Sequence, residues 1–227
     1  MLPLFVHPFS LIIAGPSNCG KSTLAFELIK NSRYLVEKTD SGGFDAVFVL
    51  YRSMQPLYTR LQTELDIPVF LFQHKLPEKL EVLLQGTKHP IILIDDGITP
   101  QNQDLVRDLF CRLGHHLGIS VILITQSLFD SKNDTLRLCH RNTKGLIVFG
   151  CPRDLGSLRT LIWQMMPDRK KGRQLLQEIE SVLETPYRYC LFDFQPSCPA
   201  NQRFKTNIVG ETEYPIAFVF SVGNETA

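Results

Sequence analysis

The segment Gly15-Pro-Ser-Asn-Cys-Gly20-Lys21-Ser22 constrains this chain more than any other, because it follows the pattern G-x-x-x-x-G-K-[ST]. The apolar run Phe9-Ser-Leu-Ile-Ile-Ala14 before it reads as a buried strand. Residues 21–32 after it read as a helix with Leu24, Leu28 and Ile29 on one face. A strand that ends in glycine and reopens as a helix turns successive backbone amides toward one point, at the helix end that favours an anion. Gly15, Pro16, Ser17, Asn18, Cys19, Gly20, Lys21, Ser22 and Thr23 are therefore expected to cradle the phosphates of ATP. The Lys21 ammonium would reach the β- and γ-phosphates, and the Ser22 hydroxyl would bind Mg²⁺.

Further apolar runs alternate with helical patterns. Strands are expected at Ala46–Tyr51, Pro68–Phe72, Ile91–Ile94, Ser120–Ile124, Gly145–Phe149 and Tyr189–Phe194. Helices are expected at Pro56–Glu64, Gln103–Leu117, Asp154–Met165 and Arg173–Leu183. In the third of these helices Trp163 reads as packing on the buried face, and Phe48, Phe70 and Phe149 read as core. The alternation predicts an α/β fold, a mainly parallel central sheet flanked by helices on both faces. Ile91-Ile-Leu-Ile94, apolar on both faces, is expected to be its central strand.

That strand ends in Asp95-Asp96. At the carboxyl edge of a parallel sheet the pair lies beside bound phosphates, so Asp95 is expected to hold Mg²⁺ and Asp96 to orient or deprotonate the attacking water. A paired acid favours hydrolysis over small-molecule phosphorylation. Ser120-Val-Ile-Leu-Ile-Thr125-Gln126 is an adjacent strand whose Gln126 would sense the γ-phosphate, and a strand-end turn is the alternative. Arg141 and Arg153 are candidates for an arginine lent to a neighbouring subunit's nucleotide.

Lys and Arg number 24 against 23 Asp and Glu, which excludes a protein that coats nucleic acid by bulk charge but allows a local basic patch. Arg169-Lys-Lys-Gly-Arg173 is the densest basic run, and a solvated helix start is its simplest reading. Apolar stretches of five or six residues are too short for a membrane span, and the prolines at Pro3 and Pro8 break any export signal. The six cysteines form no C-x-x-C pair and are expected to be free thiols inside the cell, where the sequons at Asn133 and Asn224 carry no meaning. Cys111 and His115, four apart on a helix, lack the second spaced pair that a zinc site needs.

The order of short motifs resembles the genome-packaging ATPases of the FtsK–HerA type, in particular the poxvirus-like form of Polinton (Maverick) elements and adenovirus-like viruses. The resembling segments begin with Pro8-Phe9 leading into Gly15-Pro-Ser17, Tyr51-Arg-Ser-Met-Gln55-Pro-Leu-Tyr58 and Leu93-Ile-Asp95-Asp96. They continue with Thr125-Gln126-Ser-Leu-Phe129, Arg141-Asn142, Cys151-Pro152-Arg153-Asp154, Pro186-Tyr187 and Arg203-Phe-Lys-Thr-Asn-Ile208. The resemblance implies a P-loop NTPase of the additional-strand, RecA/FtsK-like kind, with an ATPase domain over residues 1–208 and a C-terminal strand and tail over 209–227. It implies a homo-oligomeric ring that hydrolyses ATP to drive double-stranded DNA into a capsid, docked on a portal or vertex component, in the host nucleus or at a viral assembly site. Lys21 and Ser22 then belong to Walker A, Asp95 and Asp96 to Walker B, Gln126 is the sensor and Arg141 the trans-acting arginine. The chain departs from the broader pattern at Asp96, where Glu is usual. Another DNA-dependent motor, for transfer or segregation, and a nucleotide-binding module with negligible hydrolysis remain the alternatives.

Overall fold

The computed structural model describes residues 4–37, 39, 42–77, 79–95, 98–130, 132–166, 168–209 and 218–219. The chain opens with β1 (Phe5–Val6) and β2 (Ser10–Ala14), then α1 (Lys21–Lys30), α2 (Ser32–Leu35) and β3 (Val36–Glu37). Next come β4 (Ala46–Tyr51), α3 (Pro56–Glu64), β5 (Val69–Gln73), α4 (Leu80–Leu83) and β6 (Pro90–Ile94). The helix α5 (Gln103–Asp108) passes through a π-helical turn at Leu109–Leu113 into α6 (Gly114–His116), followed by β7 (Ser120–Thr125), α7 (Asp134–Asn142) and β8 (Gly145–Phe149). The last elements are α8 (Leu155–Met165), α9 (Arg169–Leu183), β9 (Tyr189–Asp193), β10 (Phe204–Thr206) and β11 (Phe218–Val219).

Among the described residues the main sheet runs β11-β10-β9-β8-β2-β7-β6-β4-β5, and β1 and β3 form a small parallel pair beside it. The strands from β8 to β5 are parallel, as expected from one crossover helix or more between each pair. The antiparallel flank has a connectivity cause. Two helices, α8 and α9, follow β8; each reverses the chain, so β9 descends against β8. A short link then returns β10 against β9, with Phe204 opposite Phe192.

Period-two alternation along each strand builds two cores. Leu11, Ile13, Ile91, Leu93 and Ile122 face α1 and α3, meeting Leu24, Leu28, Tyr58 and Leu61. Ile12, Ile92, Leu123 and Leu146 face the other helices, meeting Val106, Leu136, Leu158 and Leu175. Both sheet faces are covered, which is why the strands read as continuous apolar runs.

Several expectations are corrected. The fully buried β6 is an interior strand, but the middle place belongs to β2, with four strands on either side. Apolarity on both faces requires cover above and below, not centrality. Phe70 lies on the edge strand β5, stacked 5.1 Å from Phe48 yet 45% exposed. Trp163 is 51% exposed; Leu158, Leu161 and Ile162 form the buried face of α8 instead. In the helical segment after Gln103 the buried positions are Val106, Leu109 and Phe110, while Arg112 points outward and pairs with Asp108 at 3.4 Å. The basic run Arg169–Arg173 is the first turn of α9, where the Asp168 side chain accepts from the amides of Lys170 and Lys171. Those two amides hold the Asp168 carboxyl below the usual range. All six cysteines are free thiols. No helix among the described residues is long and apolar enough to cross a membrane. Within the C-terminal strand and tail expected over 209–227, Val209 and Phe218–Val219 are described, the latter pairing antiparallel with β10.

Candidate nucleotide site

The glycine loop leaves the carboxyl end of β2 at the centre of the sheet. Its first residue is fastened from behind: the Gly15 amide donates to the Thr125 carbonyl at 3.2 Å. Gly15 must lack a side chain, because a Cβ there would meet Phe149 Cβ at 2.7 Å and Cys19 Sγ at 2.9 Å. The loop then takes two left-handed residues, Asn18 at φ 62° and Gly20 at φ 101°, and Gly20 caps α1 without a side chain. Asparagine and glycine are the residues that tolerate this conformation best. The loop therefore curls so that α1 opens onto the cleft with its amides free of any side-chain cap.

Lys21 is 9% exposed, and its Nζ donates to the Pro16 carbonyl at 2.6 Å across the loop. Burial raises the Cys19 thiol above its ordinary range, so beneath the loop it is a neutral neighbour of the Lys21 ammonium, 4.0 Å away. Ser22 and Thr23 on the first turn of α1 line a cleft of about 990 Å³. Asp95, at the end of β6, lines the same cleft at 5% exposure. Its amide donates to Leu50 and its Oδ2 accepts from the Tyr58 hydroxyl at 3.0 Å. Gln126 follows β7 at the cleft's edge. It also walls a second, mostly apolar cavity of about 310 Å³ behind the loop, between Leu128, Phe149 and Leu158.

Ser17, Asn18, Gly20, Lys21, Ser22, Thr23, Asp95 and Gln126 are thus brought to one cleft, with Gly15, Pro16 and Cys19 shaping the loop. Asp96 lies outside the described residues. Arg141, exposed on the last turn of α7, is not a wall of this cleft. The neighbouring Asn142 carbonyl accepts from Ser10 Oγ, which places Arg141 at the end of β2 away from the phosphate loop. Arg153 is exposed just beyond β8, on the same sheet edge as the loop. Cys111 is exposed and accepts from Asn142 Nδ2 at 3.5 Å. Cys139 is buried in the core with its thiol pushed up to about 12 by burial. The described residues contain no cluster of three or more His, Cys, Asp or Glu fit for a metal.

Two site residues escaped the sequence reading. Tyr58 and Tyr187 each sit in a segment used for the resemblance, but neither was given a role. An aromatic on a helix face or in a proline turn carries no signal of what it touches.

The strand order supplies the class. A strand, β7, stands between the loop strand β2 and the strand β6 that ends in Asp95. This parallel α/β sheet with a G-x-x-x-x-G-K-S loop at its centre is a P-loop NTPase fold of the additional-strand kind. No family model and no curated protein matches the chain. Among solved structures it is similar to the genome-packaging NTPase of Sulfolobus turreted icosahedral virus 2, solved with ATP-γS. The identity is 12%, with 82% of this chain and 92% of that one covered and a TM-score of 0.47. It is also similar to an ATP synthase subunit of Nanoarchaeum equitans, at 14% identity, 67% and 47% coverage and a TM-score of 0.40. A third is the N-terminal domain of zonular occludens toxin from Neisseria meningitidis, at 13% identity, 65% and 80% coverage and a TM-score of 0.39.

Proposed function

We propose that this protein is an ATPase motor that moves double-stranded DNA into a capsid, working inside the cell as a homo-oligomeric ring on a portal or vertex component. The observation that carries the ATPase reading is the meeting in one cleft of Lys21, at the start of α1, with Asp95 and Gln126, just beyond the ends of β6 and β7. The ordered motif resemblance supports DNA and the capsid as its partners. The loop amides and Lys21 bind the β- and γ-phosphates, and water is aligned on the γ-phosphate by Gln126 and by Asp96 as base. The donor set suits Mg²⁺: the Ser22 hydroxyl and the buried Asp95 carboxylate share the cleft, and phosphate oxygens and water complete such sites. Bound there, Mg²⁺ neutralises charge on the phosphates. Arg141, outside its own subunit's cleft, would stabilise the transferred phosphoryl only in a neighbour, and Arg153 is the other candidate for that role.

The test is steady-state phosphate release by the purified chain, with and without long double-stranded DNA, across a protein concentration series. Turnover is expected to rise with DNA and to climb more than linearly with protein. Tight ATP binding with no phosphate release under any condition would overturn the motor reading in favour of a nucleotide-binding module.

Tyr58→Phe isolates the support of Asp95. It removes the hydroxyl that donates to the carboxylate while leaving the ring in the core. Loss of such an orienting partner is expected to cut turnover about tenfold and raise the Mg²⁺ needed for half-maximal rate. A Mg²⁺ titration of turnover checks it, and an unchanged curve would mean that Tyr58 only packs.

A further inference from the structure

The two ends of the cleft differ in chemistry. Asp95 and Gln126 stand on one side of β2, at the ends of β6 and β7. On the other side, toward β8 and β9, its walls are Phe149, Tyr187, Tyr189 and Val209. A triphosphate seated on the loop with its γ-phosphate toward the carboxylate end leaves its base at the aromatic end.

Tyr187 is presented there by a strained turn. The Arg188 amide donates to the Thr185 carbonyl at 3.2 Å, with Pro186 and Tyr187 between. Proline at the second position and positive φ at the third are the requirements of a type II turn, where glycine is the favoured third residue. Tyr187 takes that place at φ 64°, a conformation that opposes any side chain. Its side chain is 71% exposed yet lies against the loop: a Cβ on Gly20 would meet Tyr187 Cδ1 at 3.6 Å. Two of the polar side chains near it have partners. Arg188 donates to Asn207 Oδ1 at 2.9 Å, and the Tyr189 hydroxyl accepts from the Val209 amide at 3.2 Å. Among the described residues this end offers Tyr187 as an exposed aromatic face, which every base can stack on.

We propose that Tyr187 is the nucleobase platform of this site, and that the protein consequently binds ATP and GTP with similar affinity. The inference rests on the nucleotide reading above and adds the residue that holds the base and the breadth of substrate.

Calorimetric titration with ATP-γS, GTP-γS and inorganic tripolyphosphate tests it on the wild type and on Tyr187→Gly, Tyr187→Asn and Tyr187→Phe. Glycine and asparagine suit left-handed backbone, so those two variants should melt no lower than the wild type. Both should nevertheless bind the two nucleotides about tenfold or more weakly, with tripolyphosphate affinity unchanged, while Tyr187→Phe keeps wild-type affinity. Unchanged nucleotide affinity in the glycine and asparagine variants, or a wild-type preference of about tenfold or more between the nucleotides, would overturn the proposal. Failure of the nucleotide reading itself looks different: the wild type would then bind neither nucleotide nor tripolyphosphate.

Discussion

Lys21→Ala is expected to lower ATP turnover by at least about a hundredfold, the scale on which a single preorganised donor to developing charge acts. The fold should survive. Inside the loop the side chain donates to the Pro16 carbonyl, a bond worth about 1 kcal/mol net, and more distantly to Cys19 Sγ at 4.0 Å. The loop is held in shape by Gly15 against Phe149 and by the Gly15–Thr125 backbone bond, neither of which involves Lys21. Phosphate release and thermal denaturation measured together check both halves. Full turnover in this variant would sink the phosphate-loop mechanism, and a collapsed melting curve would show that the lysine is structural.

The second large effect lies far from the loop, in the antiparallel flank. Lys205 Nζ on β10 meets Asp193 Oδ2 at the end of β9, 2.7 Å away, with side chains only 7% and 5% exposed. Asp193 Oδ1 also accepts from the Gln195 amide, and Gln195 Nε2 donates to the Leu4 carbonyl. The ion pair is therefore a node that fastens the late strands to the start of the chain. Lys205→Met leaves the Asp193 carboxylate buried without its cation, a change that costs about 3–5 kcal/mol. In a chain of this size that lowers the melting temperature by about 10 °C. The double variant Lys205→Met with Asp193→Leu should recover most of the loss, because the unpaired charge is gone. A single variant that melts like the wild type would show that water reaches the pair.

Much of the fold was legible because its signals are local. β2, β4, β6, β7 and β8 are apolar runs that only a doubly covered sheet accommodates. The phosphate loop was legible because its chemistry dictates residue types at fixed spacing. What the sequence hid depends on partners distant in the chain. Centrality in the sheet passed from β6 to β2 because strand order is set by crossovers, not by apolarity. Trp163 and Phe70 looked like core because periodicity marks a face, and only packing decides how much of it is covered. The buried Lys205–Asp193 pair was invisible, since each residue alone reads as surface. Lys21, Ser22 and Asp95, expected together from their motifs, line one cleft, while the aromatic end around Tyr187 had no signal of its own.

The placement of β2 also sets a timetable for synthesis. Ser10 pairs with Val121 on β7, and Leu11 pairs with Gly145 on β8, so the strand made first among the core strands waits for partners made much later. Until Phe149 has emerged, Gly15 lacks the ring-bearing residue that packs against it, and the loop lacks its wall on the β8 side. A ribosome stalled before that residue would carry a nascent chain with the glycine motif fully translated but no phosphate cradle. Pairings this distant make such chains slow to fold. Nucleotide affinity of stalled nascent chains should accordingly switch on late and abruptly, rather than grow with length.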